Sequence, residues 1–197
     1  MSQTLRPDLA IIADHVRNGA RVLDIGCGNG TLMAALRDSK SVDARGLELD
    51  PAKCSEAITR GLSVVQGNAD TDLADYMADS FDYAILSQTL QTTHRPAEVL
   101  DELVRIGRQA FVSFPNFAHW RVRASLLFNG RMPVTRLLPV QWYETPNIHH
   151  LTIDDFRALV QQRGYSVDGQ WFLSGGKLTS ETMANLTAEH AVFLLRR

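Results

Sequence analysis

The sequence predicts an α/β protein: a mostly parallel seven-stranded sheet with a C-terminal antiparallel pair and helices on both faces. Three observations predict it. Short β-rich runs alternate with segments of helical spacing, the pattern of a parallel sheet covered on both sides. LSVVQ (62–66) and FDYAILS (81–87) are nearly continuously apolar, as strands buried on both faces are. Only GGKLTSETMANLT separates the last two strand candidates, which leaves no long crossover helix and makes that pair antiparallel.

Each element has its own warrant. Residues 7–18 carry Leu9, Ile12, Ala13 and Val16 at helical spacing, and Gly19 stands where a helix stops. RVLDI (21–25) is the first strand, followed by a helix over about 29–37. ARGLEL (44–49) is the second strand. The helix over 51–60 opens with proline and closes at Gly61. LSVVQ and FDYAILS follow as strands. Residues 96–106 place Val99, Leu100, Leu103 and Ile106 on one stripe before Gly107. QAFVSF (109–114) is the fifth strand. Thr152 is an N-cap for a helix over 152–163 that aligns Ile153, Phe156, Leu159 and Val160. YSVDGQWFL (165–173) and HAVFLLR (190–196) complete the sheet.

Composition bounds the class. A chain of 197 residues fits one domain, 1–197, with a core that needs no metal or disulfide. A net charge of −2 gives no overall attraction to nucleic acid or an anionic membrane. The N-terminal stretch has only LAII before Asp14, which predicts no signal peptide, and no apolar run reaches a membrane span. Cys27 and Cys54 lack metal-ligand spacing and form no disulfide framework. The expected setting is the cytoplasm, with no metal.

One stretch breaks the rhythm. Residues 115–151 lie between a strand and a helix and are far longer than an ordinary connection. Four of the seven prolines and two of the three tryptophans fall here. Arg121, Arg123, Arg131 and Arg136 face only Glu144, so the segment carries +3 and the rest of the chain −5. Residues 119–128 have helical character. The segment leaves the carboxyl end of the fifth strand, where a lid or an interface belongs.

The chemistry concentrates in VLDIGCGNG (22–30). A strand, a glycine-rich turn and a helix make a Rossmann-like crevice at the carboxyl end of the sheet. The helix directs its free N–H groups there. Counted from Gly26, the dinucleotide fingerprint needs glycine or alanine where Thr31 stands. Asp24, inside the strand, repels a pyrophosphate and attracts an ammonium or sulfonium. S-adenosylmethionine carries both, so this loop suits it better than NAD.

VLDIGCGNG resembles motif I of class I S-adenosylmethionine-dependent methyltransferases. The resemblance implies that fold and places the ribose hydroxyls on Glu48 in GLELD; two carboxylate oxygens suit a vicinal diol. Asp50 is read as a helix cap. QGNAD (66–70) stands where the superfamily often has G-D-A, with Asn68 in the aspartate's place facing the adenine. The implied cofactor contacts are Asp24, Gly26, Cys27, Gly28 and Gly30, then Glu48 and Leu49, Asn68 and Ala69, and Ser87 and Gln88 toward the methionine half. The ligand is S-adenosylmethionine or S-adenosylhomocysteine.

A narrower likeness covers about 21–164. ILSQTLQ, RIGRQAFVSFPNFAHWRVR, GRMPVT and WYETPNIHHLTIDDF resemble the MetW family of methionine biosynthesis proteins. That resemblance implies a protein supporting a homoserine O-acyltransferase of the MetX type. The alternative is an active methyltransferase on an unidentified small molecule. His94, His119, His149, His150 and Tyr143 are the available bases, and no arrangement commits any of them, so no catalytic residue is assigned. Trp120, Arg121, Arg123, Trp142, Tyr143 and His149 are the candidates for substrate or partner contact.

Overall fold

Proline starts three of the helices, where its missing N–H costs nothing and its fixed φ suits the first turn. They are α1 (Pro7–His15), α3 (Pro51–Thr59) and α4 (Pro96–Ile106). The computed structural model describes residues 5–135 and 138–197. Residues 1–4, where the leader was sought, and Arg136, counted in the charge of the long connection, lie outside the described residues.

The remaining helices are α2 (Thr31–Lys40), α5 (Trp120–Asn129), α6 (Ile153–Arg163) and the single turn α7 (Ala184–Thr187). Two caps match the sequence reading. The Asp50 carboxylate accepts from Ala52 N at 2.9 Å. Thr152 and Asp155 form a reciprocal capping box at the start of α6.

Eight strands form one sheet in the order β3-β2-β1-β4-β5-β8-β6-β7. In chain order they are β1 (Arg21–Ile25), β2 (Asp43–Glu48), β3 (Ser63–Gln66), β4 (Phe81–Ser87), β5 (Gly107–Pro115), β6 (Ser166–Ser174), β7 (Lys177–Thr179) and β8 (His190–Arg196). The first five run parallel, and β8 enters antiparallel between β5 and β6. All seven expected strands are present, with the C-terminal antiparallel pair. The eighth, β7, adds a short hairpin to β6. Gly175 and Gly176 form its turn, both at positive φ as a type I′ turn requires.

The two faces of the sheet read alternately. Leu23, Ile25, Leu86, Val112 and Phe114 pack under α4 and α6, with Phe114 4.7 Å from Phe156 between ring centres. Val22, Tyr83, Ile85 and Phe111 pack under α1 and α2. Strand β4 is buried as expected, but β3 is not. It is the sheet's edge, and Val65 is 62% exposed. A four-residue apolar run does not distinguish a central strand from an edge strand.

Among the described residues, no helix is long and apolar enough to cross a membrane. No described cluster of His, Cys, Asp and Glu could hold a metal, and both cysteines are buried and free.

Candidate functional site

The strand order reverses between β1 and β4, so their carboxyl ends diverge and leave a crevice. A cavity of about 810 Å³ opens there, within the size range of small-molecule sites. Its walls come from the ends of β1, β2 and β4, the turn after β3, the first turns of α2 and α3, and Arg6 and Leu9 at the start of α1.

The three glycines of the loop do different work. A Cβ on Gly26 would lie 2.3 Å from Thr89 Oγ1, and one on Gly30 would lie 2.2 Å from Leu62 Cδ1. These two let neighbouring elements pack against the turn. Gly28 has φ +58 and open space where its Cβ would be. Only this glycine leaves bare main chain facing outward, and Gly30 does not line the cavity. Loop closure against Thr89, just after β4, and against Leu62 and Ala57 at the end of α3 therefore explains two of the three positions.

Glu48 is tied to the same loop. Its Oε2 accepts from Gly28 N at 2.7 Å and its Oε1 from Asp50 N at 2.9 Å. Each oxygen keeps a further lone pair, so the carboxylate is oriented without being exhausted. Asp24 is buried at the end of β1. Burial pushes its carboxyl up to about 7; the charge of Arg6 opposes the rise and that of Glu48 adds to it. Burial, reinforced by Asp24 and Glu48, drives the Cys27 thiol well above its ordinary range, which disfavours the thiolate.

Four carboxylates line the cavity, Asp24, Glu48, Asp50 and Asp70, against two cations, Arg6 and Lys53. Such a wall favours a cationic ligand over a pyrophosphate. Asn68 lines it too, but its Oδ1 already accepts from Asp70 N at 2.9 Å. Its amide nitrogen and one lone pair remain to meet a base edge. Leu49, Ala69, Ser87 and Gln88 line the cavity as well, so of the expected contacts Gly30 alone lies off its wall. Gln88 sits at φ +55, an uncommon conformation for a side-chain-bearing residue, and such positions cluster at binding sites.

The residues read as substrate or partner contacts lie elsewhere. Trp120 and Arg121 are on α5, the guanidinium 5.3 Å from the indole centre. Arg123 Nε donates to Ala118 O at 2.6 Å. Trp142 and Tyr143 stand exposed, edge to face at 5.6 Å. None of these lines the cavity; among the described residues of their segment only Pro146 does. The segment is fastened to the crevice wall by the Gln91 carbonyl, which accepts from Ile148 N and His149 N.

The available bases also stay apart from it. His119 is buried as the cap of α5, accepting from Arg121 N, and burial lowers its pKa. His150 packs edge-on against Phe117. Among the described residues, no histidine or tyrosine lines the cavity.

The sequence reading missed Arg6. Its guanidinium lines the cavity and bonds Asp8 and Ser87, residues 2 and 81 positions away. The only local signal was a charged pair flanking the proline that opens α1.

Residues 6–195 match the family model described as methionine biosynthesis protein MetW. The chain belongs to the MetW family. A curated relative from Rhodopirellula baltica, the bifunctional methionine biosynthesis protein MetXA/MetW, is 34% identical over 98% of this chain. The chain spans about a third of that relative's length, 33%.

Among solved structures, an S-adenosylmethionine-dependent methyltransferase from Archaeoglobus fulgidus aligns with TM-score 0.72. It is 13% identical, covering 98% of this chain and 92% of that one. The [4+2]-cyclase SpnF aligns with TM-score 0.70 at 12% identity, over 96% and 80% of the two chains. The fold is therefore that of class I methyltransferases. A cyclase among its neighbours shows that this fold does not by itself name a reaction.

Proposed function

We propose that this MetW-type protein binds S-adenosylmethionine or S-adenosylhomocysteine in the crevice and supports a MetX-type homoserine O-acyltransferase. The observation that carries the ligand is the Gly28–Glu48 pair: open main chain beside a carboxylate held in place by that same main chain. Glu48 takes the ribose diol, Asn68 the adenine edge, and Asp24 the cationic end. When bound, S-adenosylmethionine would supply a methyl group already activated on a sulfonium; S-adenosylhomocysteine, a neutral thioether, would supply none. The protein's residues hold and orient either ligand.

The acyltransferase partnership is supported by the relative whose name joins MetXA to MetW. The exposed Trp142 and Tyr143, with Trp120, Arg121, Arg123 and His149, are assigned to partner contact. Aromatic residues and arginine are the types enriched at interfaces. Methyl transfer to a small molecule is the second reading. Alignment alone can drive much of that reaction, but an acceptor that must lose a proton finds no histidine or tyrosine along the described cavity wall.

Paired assays test both parts. Calorimetry with S-adenosylmethionine and S-adenosylhomocysteine should give saturable binding, and the acyltransferase from the same organism should co-purify and gain activity. NADH binding with no response to either nucleoside would remove the ligand assignment. Cofactor turnover with a metabolite extract, in the absence of any complex, would favour the enzyme.

A further inference from the structure

The long connection presents one regular surface, and it stands apart from the crevice. Of the ten residues of α5, Val122 alone is buried, clustered with Phe117 and Leu138. At about 3.6 residues per turn, Trp120, Ala124, Leu127 and Phe128 fall opposite Val122. Arg121 and Arg123 fall on either side of that stripe, in the first turn. Leu127 is 77% exposed and Phe128 80%, while Trp120 is half exposed. Residues three and four apart on a helix are neighbours, so these side chains form a patch rather than scattered points.

The helix that carries the patch is held at both ends. The buried Asn116 donates to Asn185 O at 3.0 Å and Ala188 O at 2.9 Å, and its Oδ1 accepts from Ala118 N at 3.1 Å. His119 caps the first turn. At the far end Ser125 Oγ donates to Arg131 O at 2.8 Å, and Gly130 closes the helix at φ +61. The apolar stripe therefore faces water from fixed main chain. That is how a helix is presented to a groove in another protein.

Charge states what the groove must offer. Residues 115–143 contain no aspartate or glutamate. Among the described residues, Arg121 and Arg123 form no ion pair. The positive end of the helix dipole lies at the same turn and adds to their charge. Carboxylates are the complement, and arginine takes them in a two-pronged fork. Anionic lipid matches poorly, because the chain outside 115–151 carries −5 and opposes a negative surface.

We infer that the outer face of α5 docks in an apolar groove, rimmed by carboxylates, on the partner acyltransferase. Leu127 and Phe128 seat in the groove, and Arg121 and Arg123 meet its rim. This rests on the partnership proposed above and adds where the contact is centred and what chemistry it meets. The stripe lies off the cavity wall, so docking there leaves the crevice open to its ligand.

The test is titration of the purified acyltransferase from the same organism with the full chain, by calorimetry. Replacing both Leu127→Ser and Phe128→Ser should weaken the complex about thirtyfold or more, the loss expected of a central apolar anchor. This variant should melt with the wild type, since both side chains are already in water. Arg121→Glu should weaken the complex about tenfold at low salt and by less as salt rises, because rim charges are screened. If the serine variant melts low, Arg121→Glu and its salt dependence decide. A wild-type complex that these substitutions leave unchanged would overturn the α5 surface and leave the partnership intact. Absence of a wild-type complex would remove the partnership, and the surface with it. Self-association, or binding to phosphatidylglycerol vesicles, that the serine variant abolishes would give the stripe to a second copy or to lipid and overturn the proposal.

Discussion

The crevice and the long connection differ in where their polar and apolar groups point. Around the crevice the polar groups face inward and are bonded to fixed partners: Glu48 to the glycine turn, Asp8 to Arg6 and two serines. Along 116–151 the large apolar groups face outward. Phe128 is 80% exposed and Trp142 72%, and among the described residues only Phe117, Val122 and Leu138 gather into a small cluster. After α5 the described part of this connection has no helix or strand until α6. One region is organised before a ligand arrives. The other displays contact area that the fold itself does not use.

Four measurements break or sharpen that contrast. The largest effect belongs to the core that fixes the crevice. Phe114→Ala removes a fully buried ring packed on Phe156 and Phe193 and should cost about 3–5 kcal/mol in chemical denaturation. Next comes Glu48→Ala, which removes the proposed diol acceptor and leaves Gly28 N without its bond. S-adenosylmethionine affinity should fall about a hundredfold by calorimetry, the worth of two charge-assisted bonds at the lower end of their range.

The third is a pH dependence. A cationic ligand favours ionised Asp24, so binding lowers a carboxyl that sits at about 7 and releases a proton near neutrality. Affinity should rise about tenfold from pH 6 to pH 8. Asp24→Asn should flatten the profile, and an unchanged profile in that variant would assign the titration elsewhere. In the ligand-free protein the sign is reversed. The raised carboxyl loses stability as pH climbs toward and past 7, and the asparagine variant should melt higher at pH 8. The smallest effect is Phe128→Ser. It should change stability by less than about 0.5 kcal/mol, since the ring is already in water. A loss near that of Phe114→Ala would erase the difference between the two regions.

What the sequence revealed follows from how local each signal is. Prolines, caps and apolar spacing placed α1 to α6 within a few residues, because their causes lie within one turn of chain; the single turn α7 was not read. The G-x-G-x-G turn located the crevice, but not that Gly26 and Gly30 close against Thr89 and Leu62, contacts made by distant residues. The edge position of β3 depends on pairing order, which an apolar run does not encode. The β7 hairpin carried a Gly-Gly signal that a strand of three residues was too short to support. The Arg6 cluster was invisible for the plainest reason: Asp8 meets Ser113 across 105 positions.

The Gln91 carbonyl has a consequence beyond its two bonds. It lies between the residues that wall the crevice and the backbone of Ile148 and His149, with Pro146 at the rim. If the crevice holds the nucleoside proposed above, a protein docking on the outer segment and displacing this latch would reshape its entrance. Thermodynamic reciprocity then runs in both directions: whatever factor the docked protein imposes on nucleoside affinity, the nucleoside returns on docking. On the function proposed above, this single carbonyl oxygen is where nucleoside binding and protein docking would meet.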